Sequence, residues 1–242
     1  MTTRGIASFD QRKQDDIRAV ATIADWLRQA LPDLQVHNVT DDPAYWECDI
    51  DLVCQLDGHR FTVEIKADQR ATTTGNLFLE TISVEARPSP GWLSRTAADL
   101  LFYHCAAPPS RIRTPHCPTD CLYVFVVERL REWFHAERKR LLHTRPELAQ
   151  QTRADKATFD QAWRIRATHT IDASSGDYQH TTLGWTVPLA YVRERYFEDS
   201  YGEHAGRMRE LMIITGVAHH LDTLADMLRR YVSWARRREE QP

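Results

Sequence analysis

The sequence predicts an α/β fold, a mixed β-sheet flanked by helices with a helical C-terminal extension. Three observations carry that expectation. Residues 9–31 place Ile17, Val20, Ile23, Ala24, Leu27 and Leu31 at helical spacing. On either side of Asp57-Gly58, "YWECDIDLVCQL" and "HRFTVEIKA" alternate apolar and polar residues with the period of a strand. Further on, the apolar run of "CLYVFVVER" reads as a buried strand feeding the helix "ERLREWFHAERKRLL".

Taken in order, the first helix is interrupted by Pro32, which cannot continue it. The Asp57-Gly58 dipeptide suits a two-residue hairpin turn between the first two strands. A third strand, "NLFLETISVE", follows the "TTTGN" loop, and "SRTAADLLFYHC" reads as a short helical turn and a fourth strand. Residues 105–120 form a loop punctuated by prolines. The segment "RATHTIDASSGDYQHTTLGWTVPLAYV" is strand and turn material whose pairing the sequence leaves open. Residues 204–239 read as helical, with Gly206 and Gly216 against that reading. This divides the chain into a main domain over 1–200 and a helical extension over 201–242 packed on it.

Composition sets the class. Among 242 residues, 42% are apolar and 27% charged, enough for a core and typical of a soluble globular protein. The net charge of −3 gives no overall basic bias, so any nucleic-acid surface must be local. No apolar run is long enough to span a bilayer, so no membrane partner is expected. Five cysteines and no leader-like segment predict a reducing, cytoplasmic setting.

The hairpin raises the functional question. With Asp57-Gly58 as the turn, Leu56 faces His59, Asp51 faces Glu64 and Asp49 faces Lys66. Directly opposed residues share a face. Asp49, Asp51, Glu64 and Lys66 therefore lie on one side, and Ile50, Leu52, Val63 and Ile65 on the core side. Asp51 opposite Glu64 is a like-charge pair, which destabilises a hairpin unless a cation lies between. Two carboxylates are the hard oxygen ligands that Mg²⁺ or Mn²⁺ takes. Lys66 on the same face could orient or help deprotonate a water, or stabilise phosphate charge. A solvated face with an Asp49–Lys66 surface salt bridge is the plain alternative.

Asp51 in "DIDLVC" and Glu64-Ile65-Lys66 in "VEIKAD" resemble the PD-(D/E)XK nuclease superfamily. "KADQRATTTGNLFLE" and "GWLSRTAADLLFYH" are similar to phage and bacterial members. The resemblance covers roughly residues 9–135. It implies a restriction-endonuclease-like α-β-β-β-α-β core. It also implies metal-dependent hydrolysis of DNA, with Mg²⁺ as cofactor and Mn²⁺ as substitute. Asp51, Glu64 and the backbone carbonyl of Ile65 would hold the metal, and Lys66 would be the catalytic lysine. Ile50 stands where the superfamily name has proline. DNA is the implied partner, and a homodimer is one assembly the resemblance allows. The superfamily includes inactive relatives that bind nucleic acid or protein, which is the alternative function. A third reading, an unrelated ligand-binding α/β domain, requires that the three side chains fail to converge.

Other residues extend the site. Asp49 is either a further metal ligand or the partner of Lys66. Glu80, ending "GNLFLE" on what reads as the neighbouring strand, is either a ligand through water or a surface carboxylate. Gln14, Asp15 and Asp16 begin the first helix, where acids also suit the helix dipole. His104, Cys105, His116, Cys117 and Cys121 suggest zinc, although the C-x3-C spacing is unusual for such a site. Two basic clusters, Arg138-Lys139-Arg140 and Arg236-Arg237-Arg238, are candidates for phosphate contact. The first sits in a helix that also carries Arg129, Arg131 and Arg145. The second lies close to Arg229, Arg230, Tyr231 and Trp234. Trp26, Trp133 and Trp163 read as packing residues.

Overall fold

A computed structural model of the chain describes residues 9–84, 89–106, 120–144, 146, 164–171, 178–198, 213–215 and 217–240. His116, Cys117, Arg145, Trp163, Gly206 and Gly216 lie outside the described residues, as do residues 204–212 of the expected helical tail.

Helix α1 (Phe9–Ala30) leads through β1 (Gln35–Asn38) and the single turn α2 (Pro43–Trp46) to a hairpin of β2 (Leu52–Leu56) and β3 (His59–Ala67). Asp57 (φ 51°) and Gly58 (φ 81°) both take the left-handed conformation that a tight hairpin turn of this twist requires. The register is the one the alternation predicts, with Leu56 opposite His59 and Leu52 opposite Val63.

After α3 (Ala71–Thr74), β4 (Asn76–Val84), β5 (Ser89–Pro90) and α4 (Trp92–Arg95), strand β6 (Leu100–Cys105) returns beside β3. The β3–β6 pairing is parallel, with Glu64 opposite Leu101. Strand β7 (Cys121–Val126) pairs with β6 and runs into helix α5 (Val127–Thr144). Strands β8 (Arg164–Ile171) and β9 (Tyr178–Pro188) form a second hairpin, and α6 (Leu189–Val192) continues as a π-helical turn over Arg193–Glu198. Strand β10 (Ile213–Thr215) and helix α7 (Leu221–Glu239) complete the described chain.

These strands make two sheets, a mixed one ordered β1-β2-β3-β6-β7-β10 and a second ordered β5-β4-β9-β8. The molecule is thus a mixed α/β protein with helices on its main sheet and a helix at the C-terminal end. Helices α1 and α7 lie on the Phe61/Val63/Ile65 face. Trp26 meets His104 edge-on at 5.2 Å, and Tyr231 meets Phe61 at 5.6 Å. Opposite, Tyr103 accepts the Phe78 N–H of β4 at 3.2 Å, and Phe125 meets Tyr196 at 5.3 Å. The main sheet is therefore covered on both faces, and β3 is buried from Phe61 through Ile65.

Several expectations need correction. Strand β4 forms where predicted but pairs with β9 rather than with β3. The missing third strand of the main sheet is β1, too short and polar (Gln35-Val36-His37-Asn38) to stand out. The expected helix over 204–239 is helical only from Leu221, since residues 213–215 form an edge strand on β7. Ile17, placed on the core stripe of α1 by its spacing, is 55% exposed, and burial begins at Ala19. Trp133 is buried, as its packing role requires.

Candidate active site

Where β2 begins, the regular ladder with β3 ends and side chains take over its hydrogen bonds. The Asp51 N–H donates to Val63 O at 2.9 Å. Asp51 Oδ2 in turn accepts the Ile65 N–H at 2.7 Å. A side chain thus occupies a position that a backbone carbonyl would fill, which fixes the Asp51 carboxylate beside Glu64. Asp51, Glu64 and Lys66 line one cavity of about 250 Å³, with Asp16, Asp49 and Trp46 on its walls.

Glu64 is only 2% exposed, so the face carrying the acids is not the solvent side that the alternation suggested. The period-two pattern is blind to this, because Glu64 is polar on a strand buried on both faces. The Glu64 carboxylate pairs with the Lys66 ammonium, which lies 5.9 Å from the centre of the Trp92 ring. Burial pushes the Glu64 carboxyl up to about 8; Lys66 lowers it, and the neighbouring Asp51 adds to the rise. Asp51 is raised as well, chiefly by burial, against the pull of Lys66 and of the Ile65 N–H. For Lys66, burial opposes the charged form, but Glu64, with Asp49 and Asp51 adding to it, more than offsets this and the ammonium is held above its ordinary range.

Asp49 partners neither Glu64 nor Lys66 directly. Its carboxylate is gripped from α4 by Arg95, with Nε to Oδ2 and Nη2 to Oδ1 both at 2.7 Å. Asp49 also has φ 44°, an uncommon conformation for a residue with a side chain. The Thr96 hydroxyl donates to Asp49 O at 2.9 Å, and the Ala97 N–H donates to Cys48 O at 2.7 Å. This clamp sets the turn that delivers Asp51 to the hairpin. Arg95→Ala should lower stability by about 1 kcal/mol, because the pair is well aligned but partly exposed. Arg95→Lys should not restore it, since an ammonium cannot reproduce the two-point contact. Denaturant midpoints of the two variants test this, and an unshifted midpoint would show that the clamp holds nothing.

Glu80 sits on β4, in the second sheet. Its Oε1 accepts from the Ser83 hydroxyl and from the Trp92 N–H, the latter at 3.3 Å. A Cβ at Gly91 would fall 2.5 Å from the Glu80 carbonyl, so glycine there lets α4 approach β4. Glu80 thus helps seat Trp92 beneath Lys66. Asp15 pairs with Arg18 and accepts from Gln69 at 3.0 Å, whereas Asp16 faces the cavity. Gln14 is exposed.

His104 and Cys105 are successive residues of β6 and point to opposite faces, so they cannot share one tetrahedral zinc site. Burial pushes the His104 imidazole down, against a weaker upward pull from Asp120. Cys48, Cys54 and Cys105 are free thiols. Among the described residues, no three His, Cys, Asp or Glu side chains form a metal-binding group.

In the basic clusters, Arg138 and Lys139 are exposed on α5. Arg140 is tied to Glu137 and to the Tyr191 hydroxyl, at 2.9 and 2.6 Å. On α7, Arg237 is exposed and Arg236 half-buried. Arg238 pairs with Glu128 of α5 at 2.7 Å and stacks 5.0 Å over Trp234. A larger cavity of about 520 Å³ lies there, but its Arg238 and His59 already face Glu128 and Glu239. Sequence reasoning missed Arg95, Trp92 and Trp46. Only the aromatic pair in "PAYWEC", just before the acids, offered a local signal.

No family model and no curated protein matches the sequence. Among solved structures, the chain is similar to a bacterial homing endonuclease, I-Ssp6803I. The identity is 19% and the TM-score 0.33, over 50% of this chain and 72% of that one. A likeness of that extent carries no argument, and the function has to be read from the site. No helix among the described residues is long and apolar enough to cross a membrane.

Proposed function

We propose that this protein is a metal-dependent DNA nuclease that hydrolyses phosphodiester bonds at the Asp51/Glu64/Lys66 cavity. The observation that carries the reading is a buried carboxylate, Glu64, standing with Asp51 and Lys66 in one cavity. A stable fold does not need two carboxylates crowded where burial opposes their charge. With the single turns α2 and α3 and the second-sheet strands β4 and β5 set aside, the order α1, β1, β2, β3, α4, β6, with β3 and β6 parallel, supports a PD-(D/E)XK-like core.

The donor set fits Mg²⁺ or Mn²⁺. Asp49, Asp51 and Glu64 face only Lys66 and Arg95, with Asp16 also on the wall, so a cation bound there would favour the ionised carboxylates that burial otherwise disfavours. Asp51, Glu64 and the Ile65 carbonyl would hold the ion with water completing its shell, the manner Mg²⁺ favours. Bound there, the metal supplies polarisation of the phosphate and a more acidic water. Lys66, kept protonated by Glu64, serves as a hydrogen-bond donor to the reacting phosphate or water rather than as a base. Trp92 and Arg95 hold Lys66 and the Asp49 turn in place. Among the described residues, the exposed Arg138, Lys139 and Arg237 form no ion pair and best suit phosphate contact, with Arg140, Arg236 and Arg238 beside them.

An inactive DNA- or protein-binding relative is the second reading, favoured by the fact that Lys66 already balances Glu64. Incubation with supercoiled, linear, single-stranded and branched DNA, in Mg²⁺ or EDTA, separates the two. Saturating Mg²⁺ should also raise the melting temperature. At a hundredfold excess over Kd, native-state binding contributes about 2.7 kcal/mol. An unshifted transition together with uncut DNA would leave only the binder.

A further inference from the structure

Trp46 is 60% exposed, and among the described residues only Ile17 is a comparably exposed large apolar side chain. Of the two, Trp46 lines the cavity that holds Asp51, Glu64 and Lys66. The indole is not loose, since its N–H donates to Thr40 O at 2.8 Å. With its polar edge used, the ring presents π-surface to whatever enters.

The platform is also tied to the site. The Val39 N–H donates to Asp51 O at 2.9 Å, and the Ile50 N–H reaches Tyr45 O at 3.4 Å. The turn bearing Trp46 is therefore held in register with the Asp51 carboxylate. The cavity, of about 250 Å³, has Glu64, only 2% exposed, in its lining. The indole face at its edge can take a base only where that base is unpaired and unstacked, which a single strand offers and an intact duplex does not.

We infer that the site takes nucleic acid as an unpaired strand, with one base stacked on the Trp46 indole while the adjoining phosphate enters the cavity. The inference rests on the nuclease reading and adds the substrate class. Every base has a π-face, so such a contact selects single-stranded character without selecting sequence. Junctions and flaps would qualify through their unpaired arms, and intact duplex would not.

The test is fluorescence anisotropy with a labelled single-stranded DNA oligonucleotide and its duplex in Ca²⁺, with cleavage in Mg²⁺ followed in parallel. The proteins are wild type, Trp46→Ala and Trp46→Phe. Trp46→Ala should weaken single-strand binding about ten- to a hundredfold, the range of one lost base stack. Trp46→Phe, which keeps a ring, should recover most of the loss. Duplex binding should change less than twofold in either variant. Unchanged single-strand binding by Trp46→Ala, or an equal loss on duplex, would overturn the inference. If wild type still cleaves in either case, the nuclease reading stands without it. Wild type that neither cleaves nor binds any DNA would remove both.

Discussion

Lys66→Ala is expected to slow DNA cleavage by about 10²- to 10³-fold, the effect of losing one preorganised donor at a reacting phosphate. It is also expected to disturb the fold, because Lys66 is the partner of a buried carboxylate rather than a free surface cation. The sign of that disturbance follows from Glu64. Its carboxyl is raised from an ordinary 4.5 to about 8 in the metal-free protein. Folding therefore takes up a proton between those values, and stability falls as pH rises from about 4.5 to about 8. The slope is at most about 1.4 kcal/mol per pH unit, one proton's worth. Lys66 lowers the Glu64 pKa, so removing it extends the decline above pH 8. Near pH 5, where Glu64 is neutral in both proteins, the variant should be close to wild type. Melting curves across pH 5–9 in EDTA check this. A loss of stability as large at pH 5 as at pH 9 would mean that Lys66 acts by packing on Trp92 instead.

Glu64→Gln is the second large effect. Cleavage should fall to background, since the amide cannot supply an anionic ligand. The metal-free protein should respond the other way. With no carboxyl to titrate, stability should no longer decline between pH 4.5 and 8, and the variant should be the more stable protein at the upper end. Mg²⁺ should then leave its melting temperature unchanged. The same melting series with and without Mg²⁺ reads the three stability effects, and a cleavage assay in Mg²⁺ reads the loss of activity. A decline as steep as in wild type would assign the titration to another group, with Asp51 the first to examine because burial raises it too.

What the sequence disclosed follows from how local each determinant is. The Asp57-Gly58 turn fixes the hairpin register, and with it the shared position of Asp51, Glu64 and Lys66. That information sits within eighteen residues. The burial of Glu64 was not legible, because it depends on a second sheet whose strand β9 lies a hundred residues further on. The same long-range pairing draws β4 and Glu80 away from β3. The Arg95–Asp49 clamp spans 46 positions and leaves no periodic trace. Asp49 consequently read as a ligand or a Lys66 partner, whereas the structure uses it to hold a left-handed turn. In α1 the apolar spacing located the core stripe but not where it ends, so Ile17 was placed inside.

The central claim is that the paired carboxylates and Lys66 form a metal-dependent phosphodiesterase site. The most direct measurement is the single-turnover cleavage rate of wild type and Asp51→Asn, in Mg²⁺ and in EDTA, on single-stranded and branched DNA. Asparagine keeps an oxygen that can accept the Ile65 N–H, so the hairpin should survive while the charged ligand is lost. The expected result is cleavage by wild type in Mg²⁺ alone, and a rate at least about a hundredfold lower for Asp51→Asn. Equal rates for the two proteins, or cleavage undiminished by EDTA, would contradict the account.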